Sequence, residues 1–139
     1  MLFFRFNYIV IDSLNNYFAI GRNDFGQLCL DESAEQFSLY QQRANVSSPL
    51  LVNVKNILNV YISSSQMVVQ NDSAQPQLLY CGRDLSAQTR TFSTPTLLET
   101  PQPVVNFTLT AQGLVILTKN GLYSMGTSVN GSLGCYNQT

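Results

Sequence analysis

Histidine and tryptophan are absent from this 139-residue sequence, and charged side chains make up only 11% of it. Without histidine, neither a His-dependent nucleophile nor a His-ligated metal site is available. Seven basic residues against eight acidic ones give a net charge of −1, which argues against an electrostatic grip on nucleic acid or anionic lipid. No apolar run approaches the ~20 residues that a membrane-spanning helix requires.

Neutral polar residues take the place of charge. Asn and Gln number 25 and Ser and Thr number 24, and this composition, together with abundant Tyr, Phe, Val and Leu, favours β-structure over exposed helices. The length suits one domain with a sizeable core. The first eleven residues, MLFFRFNYIVI, are interrupted by Arg5 and Asn7 and precede no small-residue cleavage site. We therefore expect a strand there and not a signal peptide.

Three segments repeat one pattern, in which an apolar strand, a polar turn and a second apolar strand lead to a glycine. The predicted hairpins pair residues 8–11 with 17–20 before Gly21, residues 67–69 with 78–81 before Gly82, and residues 114–117 with 122–125 before Gly126. Asn120-Gly121, in the third turn, is a strong hairpin signal because both residue types tolerate positive φ.

Two candidate strands precede each of the last two hairpins. Pro49 and Pro95 each open a candidate strand, and residues 58–63 align with residues 105–110 at an offset of 47. The aligned segments alternate apolar residues, with Leu58, Val60 and Ile62 matching Val105, Phe107 and Leu109. These landmarks predict one repeat domain in which residues 1–30 end one unit, 31–48 form an inserted loop, 49–90 form a second unit and 91–139 form a third with a tail.

The inserted loop has two interpretations. Surface insertions cost little free energy, so it is either a tolerated bulge or a binding loop. In the second case Phe37 and Tyr40 would anchor a partner; the alternative is that both pack onto their own unit.

The segment after the first glycine, Gly21-Arg22-Asn23-Asp24-Phe25-Gly26-Gln27-Leu28, resembles the Gly-x-Asn-x-x-Gly-Gln-Leu-Gly signature of the regulator of chromosome condensation repeat. The stretch from Gly126 to Gly134 is similar, with Ser132 in place of glutamine, and the stretch from Gly82 to Gln88 is similar, with Ala87 in place of the second glycine. Two departures stand out. Cys29 occupies the closing glycine position, and residues 63–66 and 110–113 lack the family's Gly and His.

The resemblance implies an all-β fold, a partial β-propeller of about two and a half four-stranded antiparallel blades. The glycines of the signature then turn the chain between strand and loop: Gly21, Gly26, Gly82, Gly126, Gly131 and Gly134. Asn23 and Gln27 are expected to satisfy loop backbone groups with their amides. Propellers close with about 4–8 blades, and this family's rings resemble seven-bladed ones. The exposed edges must therefore be covered by more of the same polypeptide, by copies of the chain or by other subunits; a small closed β-domain with coincidental repeats is the alternative.

Catalytic chemistry has little support in the sequence. Most of the eight carboxylates fall in predicted turns, where Asp caps its own backbone: Asp12, Asp24, Asp31, Glu32, Glu35, Asp72, Asp84 and Glu99. The three cysteines, Cys29, Cys81 and Cys135, show no metal-site spacing, and their odd number argues against a complete disulfide framework. Cys81 lies in a predicted strand and is expected to be a buried thiol. We predict no enzyme, no cofactor and no metal.

Five Asn-x-Ser/Thr sequons occur, at Asn45, Asn71, Asn106, Asn130 and Asn137. All but Asn106, which falls within a predicted strand, are glycosylation candidates in predicted loops. The sequons and the low charge slightly favour a secreted or surface glycoprotein over an intracellular protein.

The hypothesis that follows is a non-catalytic structural or protein-interaction module, a subunit or fragment of a larger assembly, that binds proteins or copies of itself. Neither nucleic acid nor a membrane span is expected. The resemblance supplies the alternative of an intracellular regulator that exchanges nucleotide on a small GTPase, or another intracellular scaffold. A hydrolase is a third hypothesis and would require a pocket with convergent carboxylates.

Overall fold

The computed structural model describes residues 7–30, 45–74, 76–84, 91–100, 103–110 and 113–126. All the regular structure in these ranges is β. Its strands are β1 (Tyr8–Ile11), β2 (Tyr17–Arg22), β3 (Asn45–Leu51), β4 (Ile57–Ile62), β5 (Gln66–Asn71), β6 (Leu78–Arg83), β7 (Thr91–Leu98), β8 (Val104–Leu109), β9 (Gly113–Thr118) and β10 (Gly121–Gly126). Within the same ranges, no helix has the length and apolarity to cross a membrane.

The strands form three antiparallel sheets, ordered β1-β2-β3, β4-β5-β6-β7 and β8-β9-β10. All three predicted hairpins are confirmed, since β1 pairs with β2, β5 with β6 and β9 with β10. The second sheet has four strands and its neighbours have three each. The predicted all-β partial propeller is confirmed.

The sheets do not follow the predicted boundaries between repeat units. The strand that contains Pro49 pairs with β2, with Leu50 opposite Ala19, so it ends the first sheet and does not open the second. Likewise β7, which contains Pro95, is the last strand of the second sheet, where Leu97 lies opposite Leu79. The physical reason is that proline lacks an N–H and is tolerated on edge strands, which both of these are. Of the predicted inserted loop, residues 45–48 belong to β3 and the rest lies outside the described residues.

The offset of 47 between β4 and β8 is confirmed, but their simple alternation is not. Each strand has a register shift at its start, between Ile57 and Asn59 and between Val104 and Asn106. A β-bulge adds one residue and reverses the facing of those before it. Leu58 and Val105, expected to face inward, are therefore 54% and 53% exposed.

The asparagines at the two bulges make the same local contact. The side-chain oxygen of Asn59 accepts the N–H of Val60 at 3.0 Å, and that of Asn106 accepts the N–H of Phe107 at 2.8 Å. Each therefore satisfies a backbone group at a point where the ladder is irregular.

Apolar cores fill both spaces between the sheets. On β5, Met67 and Val69 belong to the core shared with the first sheet, while Val68, between them, belongs to the core shared with the third. Alternation along a strand sends successive side chains to opposite faces, so the second sheet is covered on both sides. The rings of Tyr61 and Phe107 also meet edge to face at 5.2 Å, which joins the second sheet to the third.

The first sheet has a second apolar face that no described residue covers. Its side chains lie in cross-strand rows, Tyr8 beside Ile20 and Val10 beside Phe18 and Leu51. Tyr8, Val10 and Leu51 are 54%, 48% and 56% exposed. We call these five residues the first outer face.

The corresponding outer face of the third sheet is mixed. There Asn106 lies beside Leu117 and Leu122, and Thr108 beside Val115. The outer face of the third sheet therefore contains more polar residues than the first outer face, although Leu117 and Leu122 are 44% and 71% exposed.

Candidate functional site

The loop after β2 carries the glycine signature, and its amides hold it in shape. The side-chain oxygen of Asn23 accepts the N–H of Leu28 at 3.0 Å, and that of Gln27 accepts the N–H of Phe25 at 2.9 Å. The expected role of Asn23 and Gln27 in satisfying loop backbone groups is confirmed. Gly26, between them, has a φ of 70°, which glycine adopts without steric cost.

Two amides from the first sheet reach the turn between β4 and β5. Gln27 is fully buried and donates from Nε2 to the Ser64 carbonyl at 3.1 Å. Asn7 donates from Nδ2 to the Ser63 carbonyl at 2.9 Å, and its Oδ1 accepts the N–H of Arg22 at 2.7 Å. The signature identified Gln27, whereas nothing in the sequence singled out Asn7.

In the turns after β4 and β8, where the repeat signature has Gly and His, a side-chain hydroxyl accepts a backbone hydrogen bond. The Ser63 hydroxyl accepts the N–H of Gln66 at 3.1 Å, and the Thr110 hydroxyl accepts the N–H of Gly113 at 3.2 Å. Because both residues occupy the same position at the offset of 47, this is a repeated device for closing the turn.

Gly82 packs tightly against the β4–β5 turn of its own sheet and against Gln27 of the loop after β2. Its φ is +101°, and a Cβ built on it would stand 2.2 Å from the Ser65 carbonyl oxygen. Gly21 and Gly126 end their hairpins with φ values of 127° and 131°. The structural role predicted for these glycines is compatible with those conformations, while Gly131 and Gly134 lie outside the described residues.

A disulfide between Cys29 and Cys81 ties the loop of the first sheet to β6 of the second, with a Cα–Cα separation of 5.5 Å. The expectation of a buried Cys81 thiol is therefore wrong. Cys81 is fully buried, but bonded. The odd count is compatible with one bond, since it leaves a third cysteine, Cys135, which lies outside the described residues. Cys29 keeps a φ of 52° at the position where the signature has glycine.

Charged and aromatic groups meet beside this loop. The Arg22 guanidinium pairs with Asp24, its Nε donating at 2.8 Å. Two guanidiniums lie over the Phe25 ring. The Cζ atom of Arg83 is 4.3 Å from the ring centroid and that of Arg22 is 5.4 Å from it. Arg83 follows Gly82 in the second sheet, so its stacking on Phe25 is a further contact between sheets.

The pKa of Asp24 reflects this setting. Partial burial alone raises it, but hydrogen bonds from Arg22 and Gln27 and the charge of Arg22 outweigh that effect, and the pKa lies below its ordinary value. The Arg22 pKa is raised, chiefly by its hydrogen bond to Asp24.

Of the other carboxylates that the structure describes, Asp12 has a local role in a turn. Asp12 closes the β1–β2 turn, where its Oδ1 accepts the N–H groups of Leu14 and Asn16 at 2.8 Å each, and a hydrogen bond from the Asn16 side chain lowers its pKa. Among the described residues no group of three His, Cys, Asp or Glu side chains would hold a metal ion. Asp31, Glu32 and Glu35 lie outside those residues.

Of the described sequons, Asn106 lies within β8, as predicted, and the other two fall at strand ends. Asn45 is the first residue of β3 and Asn71 the last of β5, so their placement in loops was wrong. The Asn71 side-chain oxygen accepts the N–H of Gln77 at 2.9 Å, which fixes the following turn. Asn130 and Asn137, and the partner-loop candidates Phe37 and Tyr40, lie outside the described residues. Glycosylation stays a prediction.

A groove of about 670 Å³ opens between the β1–β2 turn and the link from β3 to β4. Buried Leu30, Val52 and Ile57 contribute its apolar lining. Asn15, Asn53 and Asn56 contribute exposed amides. No sequence signal pointed to it, because its two sides are more than thirty residues apart along the chain.

Comparison with solved structures identifies the fold. The chain is similar to Prp20p from Saccharomyces cerevisiae, whose crystal structure was reported with its binding properties to Gsp1p and histones (TM-score 0.70, 20% identity, covering 92% of this chain and 33% of that one). It is similar to human WBSCR16 (TM-score 0.66, 14% identity, covering 92% and 34%). It is also similar to yeast RCC1 (Prp20) in complex with Kap60 (TM-score 0.66, 19% identity, covering 85% and 29%).

The predicted likeness to the regulator of chromosome condensation repeat is therefore confirmed at the level of fold. The chain spans about a third of the length of the structures it matches. Neither a family model nor a curated protein sequence matches it.

Proposed function

We propose that this chain is a non-catalytic, protein-binding section of a larger β-propeller, in which further blades cover its outer faces. The observation that carries this proposal is the first outer face. Alignment of the hairpins places β1 and β2 at the positions of β5 and β6. On the equivalent face of the second sheet, Met67, Val69 and Cys81 are fully buried against the first sheet. Leu97, at the edge of that face on β7, stays 50% exposed.

An apolar sheet face of this kind is a surface built for a neighbour. Natural proteins cover such faces because an uncovered one promotes non-specific association. The partner that fits is another blade, since a blade is what covers the equivalent face of the second sheet. It is supplied either by a longer polypeptide or by another copy of the chain.

The solved structures support protein as the class of ligand. Prp20p is a protein that binds Gsp1p and histones, and Kap60 binds the same propeller. By this likeness the alternative function is regulation of a small GTPase by nucleotide exchange. A nucleotide-release assay against a panel of GTPases tests it, and unchanged release rates throughout would remove it.

One observation, the disulfide, supports a location outside the cytosol. Disulfides persist in oxidising environments and are rare in the cytosol, so the Cys29–Cys81 bond supports a secreted or surface location. Glycosylation at Asn45, Asn71, Asn130 or Asn137 would agree with that location, and peptide mass spectrometry of native material tests each site.

The assembly proposal is tested by the mass of the native particle. We expect native material to contain either a chain longer than 15.5 kDa or an assembly of several chains. For an assembly, Val10→Lys, which places a charge in the first outer face, should release single folded chains. Leu97→Lys is the matched control, because Leu97 is equally exposed, at 50%, but lies on β7. A monomer of 15.5 kDa in native material, or equal effects of both variants, would contradict the proposal.

A further inference from the structure

We propose that the groove between the β1–β2 turn and the β3–β4 link binds an extended peptide segment, with an apolar anchor side chain on its floor and a carboxylate beside Lys55. The inference deepens the proposed function and rests on it for the class of ligand, because it names where a protein partner is held. Leu51 belongs both to the groove lining and to the first outer face, but Val10 does not line the groove. A change at Val10 therefore tests the two proposals separately.

The floor of the groove suits an apolar side chain. Leu30, Val52 and Ile57 are only 3%, 4% and 8% exposed, and they belong to the core between the first and second sheets. Tyr17 and Leu50 line the same groove and pack against that core. A volume of about 670 Å³ lies within the range of about 300–1,000 Å³ usual for ligand sites.

Three asparagines on the rim offer free amides. The side chains of Asn15, Asn53 and Asn56 are exposed and form no hydrogen bond within the part of the chain that the structure describes. A carboxamide donates and accepts at once, so it complements the N–H and C=O of an extended peptide. An aliphatic or aromatic ligand without such groups would leave them unused.

The backbone of two of these asparagines, Asn15 and Asn56, is held in a defined conformation. Asn15 and Asn56 both adopt a left-handed conformation, with φ values of 64° and 53°. The Asn15 N–H donates to the Asp12 carbonyl at 3.1 Å, and the Asn56 carbonyl accepts the N–H of Asp72 at 2.5 Å. A rim held in one conformation loses less entropy when it binds a ligand.

Charge selects the residue next to the anchor. Lys55 is the one charged side chain among the described residues that line the groove, and it forms no ion pair with any of the described carboxylates. An acidic residue beside the apolar anchor would satisfy it, which makes the partner complementary in charge as well as in shape. A saccharide would also complement the amides, but it would leave Lys55 without a counter-charge.

The test is a titration of the ¹⁵N-labelled full chain, followed by amide chemical shifts. The probe is the peptide acetyl-Gly-Leu-Asp-Gly-amide, and its controls replace Leu by Ser or Asp by Lys. We expect shifts confined to residues 14–17 and 50–57 with the probe, and markedly weaker ones with either control. Cellobiose and chitobiose form the saccharide arm.

The matched variants remove amides without disturbing the backbone. The double change Asn15→Gly with Asn56→Gly keeps both left-handed conformations open, and loss of two hydrogen bonds should weaken binding by about tenfold or more. Asn120→Gly, on the turn of the third hairpin, should leave binding unchanged.

Four results would overturn the inference: no shifts with the probe, shifts indifferent to the Leu or Asp replacement, shifts outside the groove, or binding of the saccharides alone. Val10→Lys separates the two proposals. This variant should abolish assembly and leave the peptide titration unchanged. A failed assembly test therefore counts against the assembly proposal alone, and a failed titration counts against the groove proposal alone.

Discussion

Breaking the Cys29–Cys81 disulfide should loosen the contact between the first two sheets. Both sulfurs are fully buried, and the two residues are 52 positions apart in sequence. The double variant Cys29→Ala with Cys81→Ala removes the bond without leaving an unpaired thiol. The loss of stability in this variant measures the contribution of the covalent bond, because the other apolar residues of the surrounding core are unchanged.

The magnitude follows from the loop that the bond closes. In the chain-entropy treatment, a closed loop of 52 residues corresponds to about 4 kcal/mol of free energy of unfolding at 25 °C. This is a large share of the roughly 5–15 kcal/mol of a typical domain. The backbone adds a second effect, because Cys29 has a φ of 52°. Glycine adopts this conformation freely and alanine at a cost of roughly 1–2 kcal/mol, so Cys29→Gly with Cys81→Ala should be the more stable double variant.

Urea denaturation with and without reductant measures both effects. The wild type should lose stability when reduced, the double variants should not respond to reductant, and Cys135→Ser should behave as the wild type does. Thiol titration of the denatured, unreduced chain should find one free cysteine. Three free cysteines, or a mapped bond from Cys135 to either of the others, would refute the reasoning.

Three other changes, in the loop after β2 and at the contact of Gly82 with the β4–β5 turn, are tested by urea denaturation. Gly82→Ala should lower the free energy of unfolding by more than about 2 kcal/mol, because the new Cβ would lie 2.2 Å from the Ser65 carbonyl oxygen. In the control Gly121→Ala the nearest atom is 3.8 Å away, so the loss of stability should be clearly smaller. Gln27→Ala leaves buried backbone groups unpaired and should cost about 1–3 kcal/mol, while exposed Gln77→Ala should cost nothing measurable. The pKa of Asp24 is lowered on folding. Its contribution to the free energy of unfolding is therefore complete above its unfolded pKa of about 3.9 and is lost as the pH falls through its lower folded value. Asp24→Asn should remove that part of the acid sensitivity, and an unchanged pH profile of stability would contradict this prediction.

The sequence predicted what depends on local signals. Each hairpin was marked by apolar runs around a polar turn, and these patterns act within about fifteen residues. The role of Gln27 was predicted correctly because a glutamine directly after a turn glycine can satisfy the loop backbone with its amide. The same holds for the repeat itself, since the offset of 47 between β4 and β8 is a property of the chain alone.

The parts that the sequence did not predict depend on which strands pair. Pro49 and Pro95 marked strands correctly, but the same edge-strand chemistry suits the first or the last strand of a sheet. The bulges near Asn59 and Asn106 displaced Leu58 and Val105 from the core, although the alternation looked regular. A bulge adds a residue without changing composition, so periodicity alone does not reveal it.

The groove and the disulfide were missed for a related reason. The disulfide joins segments that come together only when the first sheet packs on the second, and the groove joins segments that come together when β2 pairs with β3. Cys29 and Cys81 have no spacing rule, and Asn15 and Asn56 become neighbours of one groove because β2 pairs with β3. Contacts of this type require the topology before they can be predicted.

Cys29 shows how the glycine signature can be lost without loss of the fold. The position demands a left-handed backbone, and the chain keeps that conformation although cysteine replaces glycine. The replacement costs roughly 1–2 kcal/mol in backbone conformation, and the bond to Cys81 offsets it by about 4 kcal/mol in the chain-entropy treatment. The balance is favourable only while the bond is oxidised, because a reduced Cys29 retains the strain and loses the link. Departure from the signature at this one position therefore makes the joint between the first two sheets depend on an oxidising environment.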